Sequence, residues 1–391
     1  MILLILLLIL IIALIIANVV INSSNALQTC KLGGGHKKHI ANATNTRNKP
    51  LTYRLFLFKD KNEKNQNYDR HHFQYLIDKL NALGWKETNG QYADFAFSLS
   101  FKILYDRQFK SDLKYGFNGI DTLYHKNSLF KHMQESLKNA YPKYLPYTEN
   151  IEHFVWRDGN IIIVKEVFSY GQAGVYVIID EESFIKLKMR LLSEHKKAIC
   201  STYITNPLLC KGKKFHLRIL IAPFLQKGKM PKITYMKTMI TLKMAKSEYI
   251  IKSKEDYLDP DMNISGGATN DELLIWDVNQ CRNLLESPNL ATYEEFFKKC
   301  NKSIHDAIHS IPLDSLSLFY NQNAGYFIYG ADIMLDDTGH AWILELNKRP
   351  QHIGKIISKY SNSFEESYTS KYFSELFQWL LDTIILPYFK L

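Results

Sequence analysis

Apolar and polar positions alternate along this chain with two different periods, and the switches between them mark out its elements. Period-two runs predict strands at 53–58 and 95–99, on either side of a helix over 75–83. A second helix is predicted over 128–139, capped by Asn127 or Ser128. Two β-rich runs at 160–165 and 175–179 flank Ser169-Tyr170-Gly171-Gln172-Ala173-Gly174, which reads as strand, glycine loop, strand. A helix over 182–195, strands at 199–202, 215–223 and 233–242, a loop over 252–271 and a helix over 294–311 follow. Residues 329–350 then hold two apolar strands around Asp336-Asp337-Thr338-Gly339, a strong hairpin signal, and an amphipathic helix over 364–381 comes last. Strands and helices intermix without a strict βαβ rhythm, which predicts an α+β fold with a mostly antiparallel sheet.

The chain of 391 residues is long enough for two or three small domains. Residues 1–22 are almost unbroken Ile, Leu, Val and Ala, enough for one transmembrane helix. No basic residue precedes them, and Lys31, Lys37, Lys38, Arg47 and Lys49 follow before the first acidic residue, Asp60. Under the positive-inside rule this predicts a single-pass, membrane-anchored protein with its large C-terminal part in the cytosol. A signal cleaved near Ser24-Asn25-Ala26, leading to the secretory pathway, is the alternative. Residues 23–50 read as a flexible basic linker, 51–150 as a small α/β domain and 151–391 as the remaining globular part.

Net charge changes the picture of partners. At +10 it favours an acidic polypeptide, an anionic membrane or nucleic acid. No Lys/Arg block is interleaved with aromatics, so nucleic acid ranks lowest. Five scattered cysteines without a C-x-x-C pair argue against a disulfide framework and a zinc site.

Candidate chemistry gathers at four places. If the late hairpin closes with Asp337 and Thr338 at its tip, Asp332 shares a face with Glu345 and Asn347, diagonal to Glu345. Two carboxylates and an amide oxygen suit a hard cation such as Mg2+, whereas a register slip of one residue would leave an ordinary hairpin with a polar face. Lys165 ends a strand before Gly171 and Gly174, where a freed backbone lies close over phosphates; a hairpin with a surface lysine is the bland reading. On a strand, Lys214, His216 and Arg218 share one face, suited to polyphosphate or to an edge strand guarded by charge. Ser201, Thr202, Tyr203 and Ile204 read as a purine hinge and Thr269-Asn270 as a phosphate or acceptor contact, with ordinary loop the bland reading of each.

In order and spacing, Lys165 with its glycine loop, Tyr203-Ile204-x-x-Pro207, Lys214-x-x-x-Arg218, Thr269-Asn270 and Asp332 with Glu345-x-Asn347 resemble the ATP-grasp core of the tubulin tyrosine ligase-like family. Asn118-Gly119-Ile120 through Lys126 and Leu129 extend the resemblance upstream. It implies ATP sandwiched between two α+β subdomains behind a smaller N-terminal domain. It implies an ATP-dependent ligase that joins a free amino acid to a protein carboxylate through an acyl phosphate, in an acidic tail of tubulin or another acidic polypeptide. Carried over, Lys165 contacts the α-phosphate, Ser201 to Ile204 line the adenine, Lys214 and Arg218 act catalytically on phosphates, and Asp332, Glu345 and Asn347 hold Mg2+. Gly171, Gly174, His216, Lys243, Thr269 and Asn270 complete the nucleotide site. Four features depart from the family pattern: His216 stands where Asp is usual, Lys243 where Arg is usual, Glu166 where Pro is usual, and Thr269-Asn270 lacks the preceding His-Leu. His216 and Lys243 motivate a rival reading as a catalytically lapsed ATP-binding scaffold; a ligase of small molecules is the third.

Overall fold

The spine of the structure is β10 (Lys213–Gln226), and its sequence explains why. Residues 214–223 are all buried, so both faces of this strand are covered. It is therefore a central strand, and the edge-strand reading of Lys214, His216 and Arg218 is corrected: those three side chains lie inside a core.

The computed structural model describes residues 49–56, 73–98, 109–136, 142–169, 173–265, 275–282, 284–285, 290–320, 322–348 and 363–391. Residues 1–22, most of the expected linker, Gly171, Thr269 and Asn270 lie outside them. Residues 50–391 form one compact unit. A membrane-crossing helix needs roughly 20 consecutive apolar residues. Among the described residues no helix is long and apolar enough to cross a membrane. The longest, Leu290–His309, carries Glu, Lys and His through its length. The expected localisation, anchored through one helix with a cytosolic catalytic part, is therefore withdrawn; the run that suggested it lies outside the described residues.

Two sheets build the unit. In the larger one, β14 (Tyr329–Leu335) and β13 (Ala324–Tyr326) succeed each other antiparallel along one edge of β10. β12 (Thr241–Met244) and β11 (Lys232–Tyr235) lie along the other. The two-residue β9 (Leu209–Cys210) pairs antiparallel with the start of β10. β15 (Ala341–Asn347) closes the sheet beyond β14. On the far side β13 pairs parallel with β4 (Lys110–Tyr115), and β3 (Tyr92–Ser98), β1 (Thr52–Phe56) and β2 (Lys86–Glu87) continue in parallel. The expected mostly antiparallel sheet is thus half right: the N-terminal strands add a parallel extension, because the helix Gln74–Ala82 lets the chain cross over between β1 and its neighbours.

The smaller sheet is antiparallel throughout, in the order β5 (Thr148–Asn150), β8 (Ala198–Thr202), β6 (Ile162–Glu166), β7 (Val175–Ile178). Helix Glu181–Ser193 covers it through Phe184, Leu187 and Leu191, packed with Ile162, Val164 and Cys200. Asp180 starts that helix by accepting from Ser183 N at 2.8 Å.

Candidate active site

The hairpin β14–β15 places the acidic residues, though by another route than the spacing suggested. Asp336 N donates to His340 O at 3.0 Å and Gly339 N to Asp336 O at 2.9 Å, so the tip holds Asp337, Thr338 and Gly339. Gly339 takes φ +81°, and Asp336 Oδ1 accepts from Thr338 N, Thr338 Oγ1 and His340 N at 2.7–3.0 Å. The longer tip shifts the register by one residue. A second irregularity follows: Ile333 faces Ile343 but Asp332 faces Glu345, leaving Leu344 as an extra residue. Either shift alone would put Asp332 and Glu345 on opposite faces; together they restore the parity. Asp332 thus stands directly across from Glu345, where the sequence reading had them diagonal.

On the other side of β14, Arg218 of β10 is the register partner of Asp332. Its Nη2 donates to Asp332 Oδ2 at 2.7 Å and its Nε to Oδ1, a bidentate fork inside the core. Gly330 makes room for it, since a Cβ there would lie 2.8 Å from Arg218 Cδ. Burial works to raise the Asp332 carboxyl, but Arg218 and His216 outweigh it and hold the group below the usual carboxylate range. Asn347 Nδ2 stands between the two carboxylates, 3.1 Å from Asp332 Oδ2 and 3.2 Å from Glu345 Oε1. Among the described residues no three His, Cys, Asp or Glu side chains are arranged around one point as they stand. The place a cation would take between the carboxylates is filled by an N–H donor of Asn347.

Lys214 and His216 extend the row along β10, and Lys243 of β12 is the register partner of His216. Lys214 Nζ lies 3.8 Å over the ring of Tyr203, and burial together with the charge of Lys165 pushes its amine down to about 7. Burial also lowers His216 to about 3 despite the nearby Asp332, so its ring is neutral at physiological pH. Its Nδ1 meets Ser265 Oγ at 2.7 Å, and its buried Nε2 is without a hydrogen-bond partner, 3.6 Å from Asp332 Oδ1.

The smaller sheet supplies the facing wall. Lys165 on β6 is lowered by burial while Glu345 and Asp332 pull the other way, which places it within electrostatic reach of both carboxylates. One cavity of about 660 Å³ is lined by Lys165, Lys214, His216, Arg218, Lys243, Asp332, Glu345 and Asn347. Its apolar part is lined by Ile163, Ile199, Tyr203, Ile204, Met334 and Ile343. Every expected charged site residue therefore reaches one space between the two sheets.

The model of the tubulin-tyrosine ligase family matches residues 106–355, well over half of the chain. The chain belongs to the tubulin-tyrosine ligase family. Members of this family are ATP-dependent ligases, and the matched span contains every residue of the cavity row. A similar relative is Tubulin glycylase 3E of Tetrahymena thermophila, 23% identical over 211 residues. That alignment takes in 49% of this chain and only 14% of the relative's length.

Other family positions are explained by their neighbours. Gly174 takes φ +71°, and a Cβ there would lie within 2.9 Å of Glu166 and Ser169 side chains, so the loop's exit folds flat on its entrance. At the hinge, Thr202 N donates to Tyr147 O at 2.8 Å and Tyr203 N to Ile161 O at 3.0 Å, which engages these two amides within the fold. Ser201 Oγ meets Thr148 Oγ1 at 2.9 Å, and Tyr203 OH donates to Asn263 Oδ1. Two cavity lysines were given no role by the sequence reading. Lys126 Nζ donates to Glu166 O at 3.2 Å and Ser169 O at 3.4 Å, and Lys348 Nζ to Asp121 Oδ1 at 2.7 Å. Lys348, next to Asn347, was within reach of the motif; nothing local marks Lys126 as a residue that meets the smaller sheet's loop.

Proposed function

We propose that this chain joins an amino acid to a carboxylate of an acidic protein, using ATP and passing through an acyl phosphate. The observation that carries the reading is the convergence of Lys165, Lys214 and Arg218 with Asp332, Glu345 and Asn347 on one cavity that is also lined by apolar side chains. In this reading the fold is ATP-grasp: residues 151–391 form the two nucleotide-enclosing subdomains and 51–150 the smaller domain in front. The adenine lies on the apolar part beside Tyr203 and Ile204, and the phosphates face the cations.

An acceptor carboxylate is a poor electrophile. Its oxygen attacks the γ-phosphorus and ADP leaves; the amine then attacks the activated carbonyl carbon, phosphate leaves, and the nitrogen gives up a proton. Lys165, Lys214 and Arg218 offset negative charge as it moves between these oxygens. Two carboxylates and an amide oxygen fit Mg2+, which would be held by Asp332, Glu345 and, after a half-turn of its amide, Asn347. When bound it neutralises phosphate charge. Within the fold as described, Arg218 and Asn347 Nδ2 serve the same carboxylates as donors.

The acceptor class follows from the net charge of +10 and from the tubulin-modifying relative, and glycine is the first amino acid to try. The test is mass spectrometry of acidic-tail peptides incubated with the protein, ATP, Mg2+ and mixed amino acids. A mass increase of one or more residues is expected, and Glu345→Gln should abolish it. Activity that survives Glu345→Gln would remove that carboxylate from the cation site. The scaffold reading draws on the Arg218 fork that already occupies Asp332. It requires thermal stabilisation by Mg-ATP with no ADP released against any acceptor.

A further inference from the structure

Tyr320 and Met230, 94% and 83% exposed, are the two most exposed large apolar side chains among the described residues. They belong to adjacent loops far apart in sequence. Met230 sits at the turn between β10 and β11, and Tyr320 in the loop that leads into β13. Lys227 N donates to Asn323 O at 2.9 Å and ties the two loops together. Tyr92, 46% exposed at the start of β3, and Lys110, exposed at the start of β4, lie at the same end of the sheet.

Taken together, the loops that carry Met230 and Tyr320 are basic. Lys227, Lys229 and Lys232 are exposed, and neither residues 226–232 nor 315–323 contain Asp or Glu. Two carboxylates at this end are engaged by neighbours: Asn323 Nδ2 donates to Asp112 at 3.3 Å, and Tyr92 OH donates to Asp94 Oδ1 at 3.2 Å. Exposed tyrosine and methionine cost free energy in water and recover it in a contact, while a lysine rim selects an acidic counterpart. The β10–β11 turn is closed by a bond from Lys229 N to Gln226 O at 3.0 Å, with Gly228 at φ +74°.

We propose that this end of the large sheet is a docking site for the folded, acidic body of the acceptor protein, separate from the cavity in which its tail reacts. The proposal rests on the ligase reading for its partner and not for its surface. From Arg218 to Gln226 the strand runs eight residues, roughly 26 Å at about 3.3 Å per residue. A tail leaving a body held at the turn therefore needs on the order of ten extended residues to enter the cavity, a length within reach of a flexible acidic tail. Docking there would raise the local concentration of the tail without touching the reaction itself.

The test compares the full chain with Lys227→Glu/Lys229→Glu and with Met230→Ser/Tyr320→Ser. Assembled tubulin serves as the acidic acceptor, read by co-sedimentation at two salt concentrations, and a short acidic-tail peptide serves as the detached substrate. Both variants should bind assembled tubulin at least tenfold more weakly, the charge-reversed pair losing the salt dependence of the wild type. Both should keep the wild-type melting shift with Mg-ATP and, within twofold, the wild-type rate on the peptide. Wild-type affinity for tubulin in both variants would overturn the proposal. So would wild-type binding to vesicles with 30% phosphatidylserine and none to tubulin. If the wild type ligates nothing, the ligase reading fails, yet loss of tubulin binding in the variants would still support the docking site.

Discussion

Nucleotide binding should draw protons from the buffer, and Lys214 sets the amount. Its amine, covered by the Tyr203 ring and facing the charge of Lys165, is pushed down to about 7. Phosphate oxygens placed beside it favour the charged form and return it toward its ordinary value. At pH 8 about one-tenth of the free protein carries this proton, so binding takes up about 0.9 proton from Lys214; the figure falls to about 0.5 at pH 7 and about 0.1 at pH 6. Affinity should weaken about tenfold, about 1.4 kcal/mol, for each pH unit above 7. Lys165 shifts in the same direction, and Lys214→Met isolates the Lys214 share by difference. The assay is calorimetric titration with Mg-ADP at pH 8 in buffers of different ionisation enthalpy. The stability sign is opposite to that of binding. A lysine depressed in the fold stabilises it at alkaline pH and loses that contribution as pH falls through about 7. The free protein should therefore melt lower at pH 6 than at pH 8, and nucleotide should narrow the gap. Binding enthalpies that do not depend on the buffer, or that match in Lys214→Met, would refute the reasoning.

Removing the Asp332 carboxylate with Asp332→Ala leaves the Arg218 guanidinium buried without its partner, which should cost about 3–5 kcal/mol in a urea unfolding series. An unchanged midpoint would mean that the fork is not a structural element. Gly330→Ala places a Cβ against Arg218 Cδ and should cost about 1–3 kcal/mol through overpacking; ligation should fall with it, while a neutral result would show that Arg218 moves freely.

The hairpin shows how far the sequence could be read. Its strands, its turn residues and the gathering of Asp332, Glu345 and Asn347 were legible from period two and a Gly after Asp-Asp-Thr. The route was not, because Asp336 uses its side chain to cap a three-residue tip and Leu344 adds a bulge, and neither leaves a mark on hydrophobic alternation. Lys214, His216 and Arg218 were correctly put on one face, yet three charges on a strand argue for an edge. Only the partners on both sides of β10 show why they can be buried. The cysteines are similar: scattered in sequence, Cys210 and Cys300 both come within electrostatic reach of Cys281, because contacts there depend on distant elements. The apolar run at 1–22 lies outside the described residues, and its length and hydropathy state only what such a segment could cover.

A crystal structure of the full chain with Mg2+ and a non-hydrolysable ATP analogue tests the central claim most directly. The account predicts phosphates between Lys165, Lys214 and Arg218, with a cation on Asp332 and Glu345 and the Asn347 oxygen turned inward. A nucleotide bound elsewhere, or an Arg218–Asp332 fork and Asn347 amide left as they are with no cation beside Glu345, would contradict it.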